Sequence, residues 1–473
     1  MIEEDKIFNF IESTKQRATS FSEIENILKK AKESSANFKA SSEYVQGLSI
    51  EDAATLLNID SNNKDFMEML FKTAFEIKNM IYGNRIVLFA PLYVSNYCRC
   101  SCKYCGYRVE NKELKRKILT DEEVENEVIA LQKQGHKRLL MLMGDHPKYT
   151  IDDFIKAVLI AKDVKSSPFG DIRRINVEIP ELEIEDFKKL KQTNVIGTYA
   201  LFQETYHRKT YKEMHPYGPK SNYDHRLYTM DRALQAGVDD VGIGVLYGLY
   251  DYKFETLAML THAKHLDKTY KIGPHTISVP RLQKAQNSLI NEDHPYKVSD
   301  SDFKKLVAII RLSVPYTGMI LSTREAPQIR RELYKLGISQ ISAGSKTEPG
   351  GYSEQLDNAS QFDISDNRPT KDVIYELLEM GYLPSWCTAC YRLNRTGKAF
   401  MEIAKKGEIH NCCQPNALLS FYEYLIDYGN EKIKNLGFNI VEKEITLLKN
   451  EKKKNFLKNS LERINNGKRD LFV

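Results

Sequence analysis

The sequence lacks a strong charge of one sign and has no long apolar run. Its 473 residues contain 69 lysines and arginines against 64 aspartates and glutamates, which leaves a net charge of +5. A bias this small is not typical of a nucleic-acid-binding protein. No apolar run approaches the roughly 20 residues that cross a bilayer, and the acidic, polar N-terminus is unlike a signal peptide. We therefore expect a cytoplasmic protein with neither a nucleic-acid nor a membrane partner.

Cysteine is absent from the long central part of the chain. The eight cysteines form two groups, which are Cys98, Cys100, Cys102 and Cys105, and Cys387, Cys390, Cys412 and Cys413. Because a reducing cytoplasm disfavours disulfides, thiols clustered in this way indicate metal or redox chemistry. Each group is therefore a candidate metal centre.

The apolar pattern predicts an α/β fold. Residues 1–84 are typical of helices, and from Arg85 onward short β-rich runs alternate with amphipathic stretches. The predicted strands are Ile86–Val94, Arg138–Met143, Ile172–Ile179, Val195–Phe202, Val238–Leu246, His275–Val279, Thr317–Leu321 and Gly337–Ala343. Most connections between them are long enough for a crossover helix, so the sheet should be parallel, and the span is close to the ~250 residues of a closed (β/α)8 TIM barrel.

An open, doubly wound sheet is the alternative fold. Against it, the first predicted strand is not followed by a glycine-rich phosphate turn. We divide the chain into a helical N-terminal extension at residues 1–84 and a barrel at residues 85–345. A mostly helical C-terminal domain at residues 346–473 carries the second cysteine group.

The first cysteine group has the spacing C-x3-C-x2-C, at Cys98, Cys102 and Cys105. Soft sulfur ligands suit iron, and three thiolates in a tight loop can hold three corners of a [4Fe–4S] cluster. The fourth iron would then be open to a small chelating molecule. A zinc site with Cys100 as fourth ligand is the alternative. The loop follows the first predicted strand, at the catalytic face of a TIM barrel, which favours the iron–sulfur cluster.

The second cysteine group has the spacing C-x2-C-x22-C, at Cys387, Cys390 and Cys413, with Cys412 as another candidate for the third ligand. A zinc ribbon that uses all four thiols fits this spacing as well. So does an electron-transfer cluster with four cysteine ligands. The spacing alone leaves the three interpretations open.

The first loop, Tyr97-Cys98 to Tyr104-Cys105-Gly106-Tyr107, resembles that of the radical S-adenosylmethionine (SAM) superfamily, and in particular its aromatic amino acid lyases. The second cysteine group resembles the tyrosine lyases of [FeFe]-hydrogenase maturation, since the tyrosine lyases of thiamine biosynthesis lack that extension. The resemblance extends through Ile81–Ile86, Ala90–Tyr97, Leu201–Arg208, Gly244–Tyr252, Gly273–Arg281, Pro315–Glu325 and Leu383–Arg392.

The resemblance implies a radical SAM lyase with two [4Fe–4S] clusters. Its substrate would be L-tyrosine, cleaved at the Cα–Cβ bond to p-cresol and dehydroglycine. The second cluster, with an additional iron held by His275, would convert dehydroglycine to carbon monoxide and cyanide for hydrogenase assembly. Implied partners are a flavodoxin or ferredoxin as electron donor and the other hydrogenase maturases. A paralogous aromatic amino acid lyase, or a metal or electron-transfer protein without SAM chemistry, is the alternative.

Polar residues at the predicted strand ends are candidates for substrate binding and catalysis. An amino acid substrate needs a guanidinium for its carboxylate, and hydroxyl or carboxylate groups for its ammonium. We assign these roles to Arg324 as the carboxylate clamp, with Ser322 and Glu204 beside it. A structural ion pair between Arg324 and its neighbour Glu325 is the alternative.

The candidate cofactor-binding residues are Tyr104, Gly144, Asp145, Glu178, Gly242 and Gly244. Radical SAM enzymes commonly hold the amino group of SAM with a Gly-Glu pair where this chain has Gly144-Asp145, an acid shorter by one methylene. The resemblance assigns Gly242 and Gly244 to the adenosyl side, although plain strand glycines would fit the pattern as well. For His275, the alternative to an iron ligand is a buried core histidine.

Overall fold

Eight parallel strands close into a barrel in the computed structural model, which describes residues 1–36, 46–290, 294–354, 358–448 and 450–473. The strands of the chain are β1 (Arg85–Ser95), β2 (Arg138–Met143), β3 (Lys165–Ser166), β4 (Gly170–Asp171), β5 (Arg174–Glu178), β6 (Ile196–Glu204), β7 (Val241–Val245), β8 (Thr276–Ser278), β9 (Gly318–Leu321), β10 (Gln340–Ser342) and β11 (Leu383–Ser385). The barrel order is β1-β2-β5-β6-β7-β8-β9-β10, and β10 pairs back with β1 from Val87 opposite Gln340 to Phe89 opposite Ser342. The prediction of a closed (β/α)8 barrel is confirmed, and the open-sheet alternative is wrong.

Helices surround the barrel and form both extensions. They are α1 (Glu4–Ser13), α2 (Phe21–Ala36), α3 (Ile50–Leu57), α4 (Lys64–Tyr82), α5 (Asp121–Lys133), α6 (Ile151–Asp163), α7 (Ile184–Gln192), α8 (Arg208–Met214), α9 (Tyr223–Leu227), α10 (Thr229–Gln235), α11 (Tyr252–Tyr270), α12 (Asp300–Ser313), α13 (Pro327–Leu336), α14 (Thr370–Glu379), α15 (Ala389–Arg392), α16 (Gly397–Lys405), α17 (Ile409–Tyr428), α18 (Glu431–Leu447) and α19 (Glu451–Asn465), with 3-10 turns at Arg17–Thr19 and Pro219–Ser221. None of the helices in the described residues is both long and apolar enough to span a membrane.

Local sequence signals fix where the first barrel helices begin. Thr120 and Glu123 form a capping box at the start of α5, and Thr150 with Asp153 forms another at α6. In each box the threonine hydroxyl accepts a hydrogen bond from the backbone N–H of the acidic residue. The carboxylate of that residue accepts one from the backbone N–H of the threonine. These ends turn the chain from the loops at the C-terminal ends of β1 and β2 back along the outside of the barrel.

The short strand β11 escaped the sequence analysis. It pairs in parallel with the beginning of β1, with Arg85 opposite Leu383 and Val87 opposite Ser385. Three residues that include Pro384 are too few for a period-two pattern, and proline is tolerated only where no ladder hydrogen bond is needed. The pairing draws the C-terminal domain under the barrel, so the second cysteine group lies at the N-terminal end of the strands.

Candidate active site

Three neighbouring cavities lie inside the barrel and at its two ends. The upper site lies at the C-terminal ends of the strands and contains the first cysteine group, the barrel cavity lies inside the sheet, and the lower site contains the second group. Tyr93 and Glu178 line both the upper site and the barrel cavity. Gln340 lines both the barrel cavity and the lower site. The two cysteine groups therefore lie at opposite ends of the barrel, whose interior we call the lumen.

The upper cysteine loop follows β1 and is held by backbone hydrogen bonds to neighbouring loops. Ser101 N donates to Tyr217 O at 3.0 Å, Lys103 N to Met214 O at 3.0 Å, and Gly106 N to Gln361 O at 2.9 Å. Gly106 is required here because a Cβ atom would lie 2.6 Å from Ser360 O. This loop directs the thiols of all four cysteines into the upper site, namely Cys98, Cys100, Cys102 and Cys105.

The donor set of the upper site fits an iron–sulfur cluster. A hydrogen bond from Cys100 lowers the pKa of the Cys98 thiol to about 7, whereas burial raises the pKa of Cys105 to about 11 and raises that of Cys102 further. The latter two thiols would lose their protons when a metal binds. Cys100 Sγ lies 4.0 Å from Asp145 Oδ2. In the described residues, no three His, Cys, Asp or Glu side chains are arranged to hold a single metal ion. The cysteine ligands of an iron–sulfur cluster bind different iron atoms, so they lie further apart than the ligands of a single metal ion.

Gly144 and Asp145 both line the upper site. A Cβ atom on Gly144 would lie 2.2 Å from Tyr97 O. Glycine is therefore needed at this position for the backbone after β2 to pass close to the cysteine loop. Asp145 Oδ1 accepts from Arg99 Nε at 3.1 Å, and burial raises the pKa of this carboxyl. Arg99 therefore holds the short acidic side chain at the rim beside the cysteines.

Glu204 is tied into an ion-pair network that sequence analysis did not find. Its Oε1 lies 2.5 Å from Lys220 Nζ and 3.4 Å from Arg226 Nη2, and Arg226 also pairs with Glu181 at 2.7 Å. Burial alone would raise the pKa of Glu204, but the charges of Lys220 and Arg226 outweigh this effect, and the net result is a lowered pKa. Lys220 and Arg226 follow α8 without any motif, so only the folded chain reveals that they face this site.

Glu178 has no cationic partner of this kind among the described residues, although it lines both the upper site and the barrel cavity. Burial, and then the neighbouring charge of Glu204, raise the pKa of Glu178 to about 7. A carboxyl in this state can accept or release a proton near neutral pH.

Arg324 faces the barrel cavity and does not pair with its neighbour. Glu325 accepts instead from Arg281 Nε at 3.0 Å, so the structural ion pair suggested for Arg324 is wrong. The guanidinium carbon of Arg324 lies 3.3 Å from the ring centroid of Phe362, and Ser322 lines the same cavity. In the described part of the chain Arg324 forms no ion pair, which leaves its guanidinium available to a bound carboxylate.

Three of the candidate cofactor-binding residues do not line any of the three cavities. The Tyr104 hydroxyl lies 2.9 Å from Nε2 of the buried His215. A Cβ atom on Gly242 would lie 2.3 Å from Thr276 Oγ1, and one on Gly244 would lie 2.6 Å from the ring of Phe202. The tight packing of β7 against its neighbours accounts for both glycines.

The lower site brings together Cys387, Cys390 and Cys413, together with His275, whereas Cys412 does not line it. Cys387 follows the end of β11, Cys390 lies in the short helix α15, and Cys413 lies in α17. A hydrogen bond from Cys390 lowers the pKa of the Cys413 thiol to about 6. Three convergent thiols beside an imidazole fit an iron–sulfur cluster, and the arrangement does not gather the four cysteines that a zinc ribbon would use.

His275 is oriented by a carboxylate that sequence analysis missed. Its Nδ1 lies 2.9 Å from Oδ2 of the buried Asp240, and its ring stacks on Phe400 with 4.1 Å between centroids. Tyr391, next to Cys390, donates its hydroxyl hydrogen to the same Asp240 oxygen. Asp240 thus links the histidine of the barrel to the cysteine loop of the C-terminal domain, as second-sphere carboxylates do for metal-binding histidines.

A closed barrel with three cysteines on the loop after its first strand defines a radical SAM enzyme, and comparison with known proteins agrees. Residues 92–262 match the radical SAM superfamily, and residues 278–383 match the biotin and thiamin synthesis associated domain. The chain is 31% identical to 2-iminoacetate synthase of Escherichia coli, over 68% of this chain and 82% of that one.

Two solved structures are similar over nearly the whole chain. One is HydG, a maturase of the [FeFe]-hydrogenase, with 51% identity, 99% of each chain covered and a TM-score of 0.92. The other is the FeFe-hydrogenase maturase HydG from Carboxydothermus hydrogenoformans, with 38% identity, a TM-score of 0.81, and 98% of this chain and all of that one covered. The chain therefore belongs to the radical SAM tyrosine lyase family that includes HydG and 2-iminoacetate synthase.

Proposed function

We propose that this enzyme cleaves L-tyrosine at its Cα–Cβ bond at the upper end of the barrel, giving p-cresol and dehydroglycine. Dehydroglycine would pass down the lumen to the lower site and be split there into carbon monoxide and cyanide for [FeFe]-hydrogenase assembly. The observation that carries the proposal is the cavity inside the barrel between the two cysteine sites, which shares the wall residues Tyr93 and Glu178 with the upper site and Gln340 with the lower site.

In this proposal, Cys98, Cys102 and Cys105 hold the cluster of the upper site. With SAM bound, that cluster supplies the 5′-deoxyadenosyl radical that takes a hydrogen atom from the substrate. Asp145, at the rim, would accept hydrogen bonds from the amino group of SAM, since it lines the upper site and its Oδ2 lies 4.0 Å from Cys100 Sγ. Arg99 would hold Asp145 in place through their 3.1 Å hydrogen bond.

Arg324 would bind the carboxylate of tyrosine. Its side chain is half-buried, is stacked on Phe362 and forms no ion pair in the described residues, so its hydrogen-bond donors remain free for a planar anion. The hydroxyl of Ser322, two residues away, would accept from the substrate ammonium. Glu204, held by Lys220, would contribute to the negative field around that ammonium rather than act as a free base.

The wall of the barrel cavity suits an aromatic side chain. It combines polar groups with aromatic and aliphatic surfaces, and the latter include Phe89, Leu140, Leu142, Phe202, Ile320 and Phe362. Burial of a phenol ring against such surfaces is favourable, and exclusion of water protects a radical from side reactions.

Cys387, Cys390 and Cys413 would hold a second cluster at the lower site, with an additional iron at His275. Because His275 Nδ1 lies 2.9 Å from Asp240 Oδ2, Nε2 would be the ring atom available as the iron ligand. A flavodoxin or ferredoxin would supply the electron, and other hydrogenase maturases would receive the product. Clustered thiols need reducing conditions, so we place the reaction in the cytoplasm.

Anaerobic reconstitution with iron and sulfide tests the proposal. The reconstituted enzyme would be incubated with dithionite, SAM and L-tyrosine, and the products would be measured. We expect 5′-deoxyadenosine, p-cresol and carbon monoxide. Absence of deoxyadenosine would contradict radical chemistry, and deoxyadenosine with p-cresol but no carbon monoxide would indicate a paralogous lyase. In the same assay, Arg324→Lys should raise the KM for tyrosine about tenfold or more, because lysine keeps the charge but loses the bidentate fork.

A further inference from the structure

The lower site contains two buried arginines, Arg85 and Arg138, that pair with no carboxylate in the described part of the chain. Arg85 is 4% exposed and Arg138 is 5% exposed. Nη1 of Arg85 and Nε of Arg138 are buried without a hydrogen-bond partner, and neither side chain forms an ion pair in the described residues. A buried, unpaired charge is costly, so its retention points to a ligand that is absent from the protein itself.

The walls of this cavity supply no compensating carboxylate. Both arginines line the cavity, and no aspartate or glutamate of the described residues does. Arg174, which also lines it, differs because its Nη2 lies 3.5 Å from Asp240. Within the described residues, the Arg138 side chain donates a hydrogen bond only to the backbone oxygen of Cys387.

The ionisable groups behind Arg85 are basic as well, and they bring no negative charge. Lys78 is fully buried, donates to Gly83 O at 2.6 Å, and has its pKa lowered to about 7 by burial and by the charges of Arg311 and Arg85. Arg311 is satisfied by backbone oxygens of Pro315, Thr317 and Gly337. The potential at this end of the lumen therefore favours an anion.

We propose that Arg85 and Arg138 form a carboxylate-binding site in the lower cavity, which takes a two-carbon monocarboxylate. Two guanidiniums beside the thiols suit a planar carboxylate, which accepts bidentate hydrogen bonds. The size of the ligand rests on the proposed function, because dehydroglycine is a two-carbon acid that must leave Arg324 and be held again below. Arg85 and Arg138 would then bind, at the lower site, the carboxylate that Arg324 binds in the barrel cavity.

Binding can be measured without turnover. The reconstituted full-length enzyme, kept free of reductant, would be saturated with SAM and L-tyrosine so that the upper site is filled. Oxamate, an unreactive two-carbon monocarboxylate, would be titrated by calorimetry, and thiocyanate would serve as an inorganic monoanion for comparison. We expect one oxamate per chain. Arg85→Gln should weaken its binding about tenfold to hundredfold, and Arg85→Lys should weaken it less, because lysine keeps the charge.

Several outcomes would overturn the proposal. One is the absence of oxamate binding to the wild-type enzyme, and another is unchanged binding in Arg85→Gln. If Arg85→Gln loses iron but binds oxamate normally, the arginine serves only as a counter-charge for the thiolates. Equal affinity for thiocyanate would mean an unselective anion site.

Two controls keep the result interpretable. If Arg85→Gln does not fold, as judged by circular dichroism, Arg138→Gln carries the same expectation. The titration contains no reductant, so its failure is distinct from a failure of wild-type turnover to give p-cresol and carbon monoxide, which would count against the proposed function instead.

Discussion

The two cysteine sites differ in how the chain assembles them. The upper site takes Cys98, Cys102 and Cys105 from a single loop after β1, so neighbouring backbone places its thiols. The lower site takes Cys387 from the segment after β11, Cys390 from α15 and Cys413 from α17. Its three thiols meet only when the C-terminal domain packs under the barrel. A local motif thus defines one centre, and tertiary packing defines the other.

The charge around the two sites differs as well. At the upper site Glu204 and Glu181 are paired with Lys220 and Arg226, so cations and carboxylates nearly balance. At the lower site, no carboxylate of the described residues lines the cavity. A balanced site suits a zwitterionic amino acid and SAM, whereas a site rich in guanidinium groups suits an anion.

The largest expected effect separates the two sites by their thiols. Cys102→Ala should abolish 5′-deoxyadenosine, p-cresol and carbon monoxide together, because the first step depends on the upper site. Cys387→Ala should abolish carbon monoxide but keep p-cresol, measured by chromatography and gas analysis. Cys412→Ala is the matched control and should keep all three products, since Cys412 does not line the lower site. Loss of p-cresol in Cys387→Ala would contradict the division of labour.

A smaller effect is expected at the carboxylate behind His275. Asp240→Asn should weaken iron retention at the lower site about tenfold or more, because second-sphere carboxylates fix the tautomer and basicity of a histidine ligand. Iron content and EPR spectra report the loss, and 15N NMR of the iron-free protein reports the tautomer of His275. Asp239→Asn is the control, because Asp239 accepts from Thr396 at 2.9 Å and does not line the cavity. Equal iron loss in both variants would argue against a positioning role for Asp240.

The smallest effect concerns the pH dependence of folding at the upper site. The pKa of Glu178 is about 7 in the folded protein, against 4.5 for an unperturbed glutamate. Below pH 4.5 both states are protonated. Between pH 4.5 and 7 the unfolded chain has lost a proton that the folded chain keeps, so the free energy of unfolding falls as pH rises. Glu178→Gln should therefore be more stable than the wild type at pH 8, by about 1 to 3 kcal/mol, and equally stable near pH 4.

Glu181→Gln serves as the control for this measurement. Burial raises the pKa of Glu181, but the charge of Arg226 prevails and lowers it, so this carboxylate stabilises the fold at pH 8. The variant should lose stability at pH 8, opposite in sign to Glu178→Gln. Urea unfolding at both pH values measures the two shifts, and shifts of the same sign would contradict the charge assignment of the upper site.

The sequence by itself determined the barrel and the upper loop. Eight β-rich runs separated by helix-length connections predict a parallel sheet. Each crossover helix brings the chain back to the end of the barrel where the previous strand began, so the next strand runs in the same direction. Cys98, Cys102 and Cys105 lie within one loop, so their spacing alone indicates that their thiols converge. The predicted strand ends also made Arg324 and Glu178 candidate site residues, because the C-terminal ends of all barrel strands lie on one face.

Only the tertiary structure decided the lower site. Cys412 and Cys413 are neighbours in sequence, and the orientation of α17 against the barrel selects Cys413. The partners Asp240 and Tyr391 and the unpaired charges of Arg85 and Arg138 are spread over distant segments of the chain. Period and spacing describe residues that are close along the chain, whereas burial and charge pairing depend on which distant segments pack together. For this reason the lower site could be suspected from the sequence but was assembled only by the fold.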